Sequence, residues 1–214
     1  MKKINRWSIY LLGMCMLAAG ISLNTKTGLG VTPIITVSFC ISEIFNLDFG
    51  NMTFLFYALF VVIQLFLIDK SERGAVLLQL IVSLIFSRVL NLFGFVITYD
   101  YTLHSLPVNL AVLALAVFFT GTGAALAINM RLYPNPADGV VQTLSQKRRW
   151  PQGLTKNVFD ICCVAMAALI GIIYTGHVVG IGLGTLLSMV GVGRTIALIN
   201  KLFQRRMLAA AGIE

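Results

Sequence analysis

The stretch from residue 107 to 130, PVNLAVLALAVFFTGTGAALAINM, contains no charged side chain. Such a run decides the class of fold, because water is a poor solvent for it. At about 1.5 Å per residue a helix of this length outreaches a hydrocarbon core of about 30 Å. Five further runs have similar length, at about 7–24, 52–69, 75–97, 155–174 and 178–200. Hydrophobic residues make up 58% of the chain and charged ones 11%, and the mean hydropathy is +0.89. A soluble domain of 214 residues cannot hide that much apolar surface, so lipid must solvate it. The expectation is an all-α membrane protein with six transmembrane helices, a single transmembrane domain over 1–214 and no soluble catalytic module. The start, MKKINRWSIYLLGMCMLAAG, imitates a secretory signal: basic, then apolar, then small. It is read as a retained first span, because the internal repeat below needs it.

The net charge of +8 does not point to nucleic acid, because the basic residues cluster in short connections. Lys2, Lys3 and Arg6 precede the first span, and Lys70 and Arg73 follow the second. Arg131 follows the fourth, Lys147, Arg148 and Arg149 precede the fifth, and Lys201, Arg205 and Arg206 follow the sixth. The connections TYDYTLHSL and TGH carry no Lys or Arg. Six spans with both termini in the cytoplasm put every cluster inside and leave Lys26 outside. Counting VTPIITVSFCISEIF, residues 31–45, as a further span would reverse that agreement. It is also short for a span. It reads as a re-entrant half-helix on the outer side, with Thr32 capping its start and Pro33 in the first turn.

Sliding the chain on itself by 105 positions lays Asn24 on Asn129 and Lys26 on Arg131, and starts the second re-entrant segment near Asp138. A shift of 106 lays GAVLLQLIVSLIFSRVLNL on GIGLGTLLSMVGVGRTIAL, with Arg88 on Arg194 and Gln79 on Thr185. Asn on Asn and Arg on Arg are costly coincidences inside membrane segments. Each half holds three spans, so the second enters from the opposite side: an inverted 3+3 repeat, 7–97 and 107–203. Many secondary transporters are built this way, with broken helices near the midplane. The proline-rich stretch RLYPNPADGVVQT then has a counterpart. Residues 131–149 become the inner half-helix, with Asn135 and Pro136 at its start. Irregular backbone at that depth must be buried in protein or line a wet cavity.

Arg88 lies near the middle of its span and Arg194 nearer one end. Both are expected to face the interior, tying helices together or meeting a solute, with Asp138 and Asp160 as the available carboxylates. Helix starts at Thr32 and Asn135 bring unpaired N–H groups that, with guanidinium forks, favour an anion. Asp138 works against this: it caps a helix, carries a proton or repels an anion, so a cationic solute stays open. Asn24, Asn129, Gln79 and Thr185 are weaker polar candidates, and Lys156 and Asp160 stand one helical turn apart for a local pair. Cys15, Cys40, Cys162 and Cys163 show no metal spacing, and His104 and His177 have no ligand neighbours. No nucleophile, HExxH or hydrolytic carboxylate motif is present, so neither an enzyme nor a cofactor is expected.

GLGVTP, LLQLIVSLIF, KNVFD and GLGTLLSMVGVGR resemble the YczE/YyaS/YitT-type bacterial integral membrane proteins over nearly the whole chain. The resemblance implies that Gly28, Gly30, Pro33, Lys156, Asp160, Gly184 and Thr185 match recurring positions, and that the chain is a small multi-span protein of transporter type. The expected function is secondary transport of a small polar solute, with the balance toward an organic anion. A non-transporting membrane partner and a substrate-binding subunit of a larger importer are the rivals. The lipid bilayer is the certain partner, and a homo-oligomer is compatible with the sequence.

Overall fold

The computed structural model describes residues 5–70 and 72–213, and the regular structure of the described residues is helical. Lys2 and Lys3 of the charge pattern lie outside the described residues. The helices are α1 (Arg6–Thr25), α2 (Thr36–Phe45), α3 (Phe49–Leu67), α4 (Arg73–Val96), α5 (Leu106–Asn129), α6 (Pro136–Arg148), α7 (Gln152–Thr175) and α8 (Leu183–Ala211). Short 3-10 turns at Pro33–Ile35 and Tyr101–Leu103 precede α2 and α5. Six helices, all but α2 and α6, are long and apolar enough to cross a membrane.

Local chemistry explains the ends. The side chain of Asn5 accepts from the Trp7 N–H to start α1, and that of Asp48 accepts from the Asn51 N–H at 2.7 Å to start α3. Asn135 caps α6 by accepting from the Ala137 N–H, with Pro136 in the first turn, where a missing N–H costs nothing. Asp100 accepts from both the backbone N–H and the hydroxyl of Thr102, which holds its carboxyl below the usual carboxylate range. Left-handed C-caps end four of the described helices: Asn46 after α2, Arg149 after α6, Gly176 after α7 and Gly212 after α8.

Five spans fall within three residues of expectation, and the sixth does not. It starts at Leu183 rather than 178 and runs to Ala211 rather than 200. Gly180 has φ 73° and its carbonyl accepts from the Val31 N–H, so this stretch is a turn. At the other end KLFQRRMLAAA consists, apart from Phe203, of good helix formers until Gly212. Thr32 also departs from expectation. It occupies the cap position of the 3-10 turn, but its side chain makes no capping bond. Thr36 instead donates to the Pro33 carbonyl at 2.7 Å.

Boundaries recur at one offset. Pro33 and Pro136 open the two short helical segments, Asn46 and Arg149 close the helices, and Asp48 and Pro151 precede α3 and α7. Each pair is 103 positions apart. The sequence register of 105 therefore slips by two here: Pro33 lies over Pro136, not Asp138. The chains leading from α1 and α5 into these segments differ in length, which a rigid slide cannot accommodate.

The chain forms two compact units. One comprises residues 1–30, 89–132 and 182–214, the other 31–88 and 133–181. In the first unit α1 and α5 run antiparallel with backbones in contact. A Cβ on Gly13 would lie 2.8 Å from the Gly123 carbonyl oxygen, and one on Gly20 would lie 2.5 Å from the Thr120 nitrogen. Small residues allow this approach, the usual basis of helix adhesion in lipid. Helix α5 also packs along α8. In the second unit α2 packs on α3 and α7, and α6 packs on α7 and α3. Val37, Cys40, Cys163 and Ala167 form an apolar core around α2.

Candidate functional site

Most of the polar atoms that could handle a solute gather around the first turn of α6, inside the second unit. Asn135 caps the helix through its oxygen and donates its Nδ2 to the Tyr57 hydroxyl of α3 at 3.0 Å. Gln64 of α3 donates to the Pro136 carbonyl at 3.1 Å and exchanges two hydrogen bonds with Gln79 of α4, at 3.1 and 3.2 Å. Gly139 makes room for it: a Cβ there would lie 2.5 Å from Gln64 Oε1. Tyr57 is buried and stacks on Phe86, with ring centroids 6.0 Å apart.

On the α7 side, Lys156 pairs with Asp160 one turn on; the side chains are 32% and 5% exposed. Asp138, half-buried in the first turn of α6, lies within the electrostatic reach of both. With both carboxylates ionised the group carries one uncompensated negative charge. The N-terminus of α6 would favour a bound anion, but Asp138 already occupies that field with its own carboxylate. Chemically, the cluster suits a positive or donor-rich group.

The structure separates the other candidates. Arg88, in the second unit, and Arg194, in the first, sit on exposed helix faces. The buried stripe of α4 runs through Val76, Gln79, Ser83, Phe86, Ser87 and Leu90, and Arg88 falls off it. Asn129 is engaged in a framework in the first unit: it donates to Ala125 O and Asn200 Oδ1, both at 2.7 Å, and accepts from Gln204 at 3.0 Å. Asn24 donates to Ser188 Oγ at 2.9 Å, while its own oxygen has no partner among the described residues. Thr185 Oγ1 accepts from the Gly182 N–H, a local cap at the start of α8. Thr32 is buried in the second unit.

Gln64 and Tyr57 escaped the sequence reading. Gln64 was visible as a lone amide inside the apolar run FVVIQLFL, a pattern common to interhelical glue and to sites. Tyr57 carried no signal, since tyrosines are ordinary in membrane helices.

Six membrane-length helices with buried polar groups define a multi-pass α-helical membrane protein. Residues 4–201 match a family of unknown function, DUF6198, and the chain belongs to that family. It is similar to the uncharacterized membrane protein YczE of Bacillus subtilis (strain 168), 24% identical over 95% of this chain and 93% of the relative. It is likewise similar to the uncharacterized protein YyaS of the same organism, 24% identical over 95% and 96% of the two chains. No solved structure gives a significant match.

Proposed function

We propose that this protein is a secondary transporter, not an enzyme, and that it moves a small polar solute bearing a positive group by alternating access of two inverted repeats. The observation that carries the reading is the Asp138–Lys156–Asp160 group beside Gln64, Gln79, Asn135 and Tyr57. Ionisable side chains in membrane proteins are expensive and persist where they handle ions or solutes. The exposed positions of Arg88 and Arg194 shift the preferred charge of the solute away from the anion expected from sequence.

One packing pattern supports the repeat: α2 packs on α3 and α7, and α6 packs on α7 and α3, so exchanging α2 with α6 and α3 with α7 maps each contact onto the other. On this reading α2 and α6 are re-entrant from opposite faces, and the basic connections place both termini in the cytoplasm of the bacterial inner membrane. In a cysteine-free background, single cysteines at Asn46 and Leu103 should then label from outside, and ones at Glu72 and Lys147 only from inside. Inside labelling at Asn46 would remove the repeat.

The solute reading is tested by a thermal-shift screen of the purified protein against small organic cations, zwitterions and anions. A ligand of the native state raises the transition temperature. A cationic ligand should appear, and Asp138→Asn should weaken it at least tenfold with the unliganded transition little changed. A ligand set made only of anions, or one indifferent to Asp138→Asn, would overturn the reading.

A further inference from the structure

At the basic end of α5 and α8, within the first unit, a cavity of about 280 Å³ is lined by Arg131, Arg205, Leu208, Ala209 and Ile213. We propose that it binds the phosphate of an anionic phospholipid. Its two charged groups among the described residues are both guanidinium, whose planar forks suit phosphate oxygens, and no described carboxylate lines it.

The surrounding structure places Arg131 for this task. Its backbone lies in the left-handed region, φ 48°, just past the end of α5, where such a conformation stops a helix. Beside it is Arg6, whose guanidinium donates to the carbonyls of both Met130 and Arg131. Those carbonyls end α5 and would repel a phosphate; Arg6 covers them, leaving Arg131 and Arg205 to face the ligand.

The rest of the wall selects a lipid over free phosphate. Leu208, Ala209 and Ile213 offer aliphatic surface that an inorganic anion cannot use and a glycerol backbone with acyl chains can. Helix α8 has 29 residues, about 43 Å at 1.5 Å each, against a hydrocarbon core of about 30 Å. Its last turns therefore stand at headgroup level, where basic pockets meet anionic lipids.

The test is the thermal transition of the purified full chain in detergent, titrated with short-chain phosphatidylglycerol, short-chain phosphatidylcholine or inorganic phosphate. Phosphatidylglycerol should raise the transition saturably, and the other two should not at matched concentrations. Arg205 makes no hydrogen bond to the described residues, so Arg205→Gln should fold normally and need at least tenfold more phosphatidylglycerol for the same shift. Arg206→Gln, next along the helix and outside the pocket, should keep the wild-type response. An equal response to phosphatidylcholine or to inorganic phosphate, or equal effects of the two substitutions, would overturn the proposal.

Discussion

Helices α2 and α6 share a backbone device and differ in chemistry. Each is entered through a Pro-led turn, each is too short to span, and each ends in a left-handed residue. Yet the hydroxyls of Thr36, Ser38 and Ser42 donate to carbonyls one turn back in their own segment, and Ile35, Val37 and Cys40 fill an apolar core. In α6 the polar groups reach outward, Asn135 to Tyr57 and the Pro136 carbonyl to Gln64. At the offset of 103, Thr32 answers to Asn135, Ile35 to Asp138 and Tyr57 to Asp160. One segment packs apolar surface, and the other gathers polar and charged groups. Equivalent backbones need not share a function, because burial without polar partners and burial with them make opposite demands on side chains.

The largest effect expected from breaking this contrast comes from exchanging its central residues. Ile35 is 1% exposed, so Ile35→Asp should cost at least about 4 kcal/mol in unfolding experiments. Asp138→Ile should change stability by no more than about 1 kcal/mol, since it removes a half-buried charge and leaves an apolar side chain. Equal damage from both would make Asp138 a structural residue and dissolve the difference.

A smaller effect is expected at the glutamine pair. Gln64→Leu or Gln79→Leu alone strands a buried amide and should cost about 1–3 kcal/mol. The double substitution should cost less than the sum of the singles, giving a measurable coupling in a double-mutant cycle. Additive losses would mean the two amides do not act together.

The smallest contrast lies at the caps. Asn135→Ala removes a cap and a bond to Tyr57 and should lower stability by about 1 kcal/mol, read as a shift in thermal midpoint. Thr32→Ala removes no capping bond and should move the midpoint by a few tenths of a kcal/mol at most.

The spans were legible in the sequence because length and apolarity are local properties, read one segment at a time. The start of α8 was less so: nothing in HVVGIGLG says which glycine opens the helix. That depends on the pairing of Val31 with Gly180, residues far apart in the chain. Asp138 and Asp160 stood out as carboxylates in apolar company. Which way Arg88 points did not, since its position in the span gives depth and not direction. The direction was encoded in Gln79, Ser83 and Ser87, spaced one turn apart along the buried side, and reading that polar stripe would have turned Arg88 outward. Gln64 became informative only once α6 delivered the Pro136 carbonyl beside it.

The glycine contact between α1 and α5 has a consequence for how the chain is made. Gly20 and Ala116 touch through backbone atoms, yet roughly one hundred residues separate them, and a ribosome adding about 5–20 residues per second needs about 5–20 s to supply them. During that interval α1 must wait in the bilayer with its groove of bare backbone unfilled. Lipid tails fit such a groove poorly, so the nascent chain offers its most adhesive surface to any passing helix before its proper mate exists. Held in that state, it is most open to mispairing until α5 arrives.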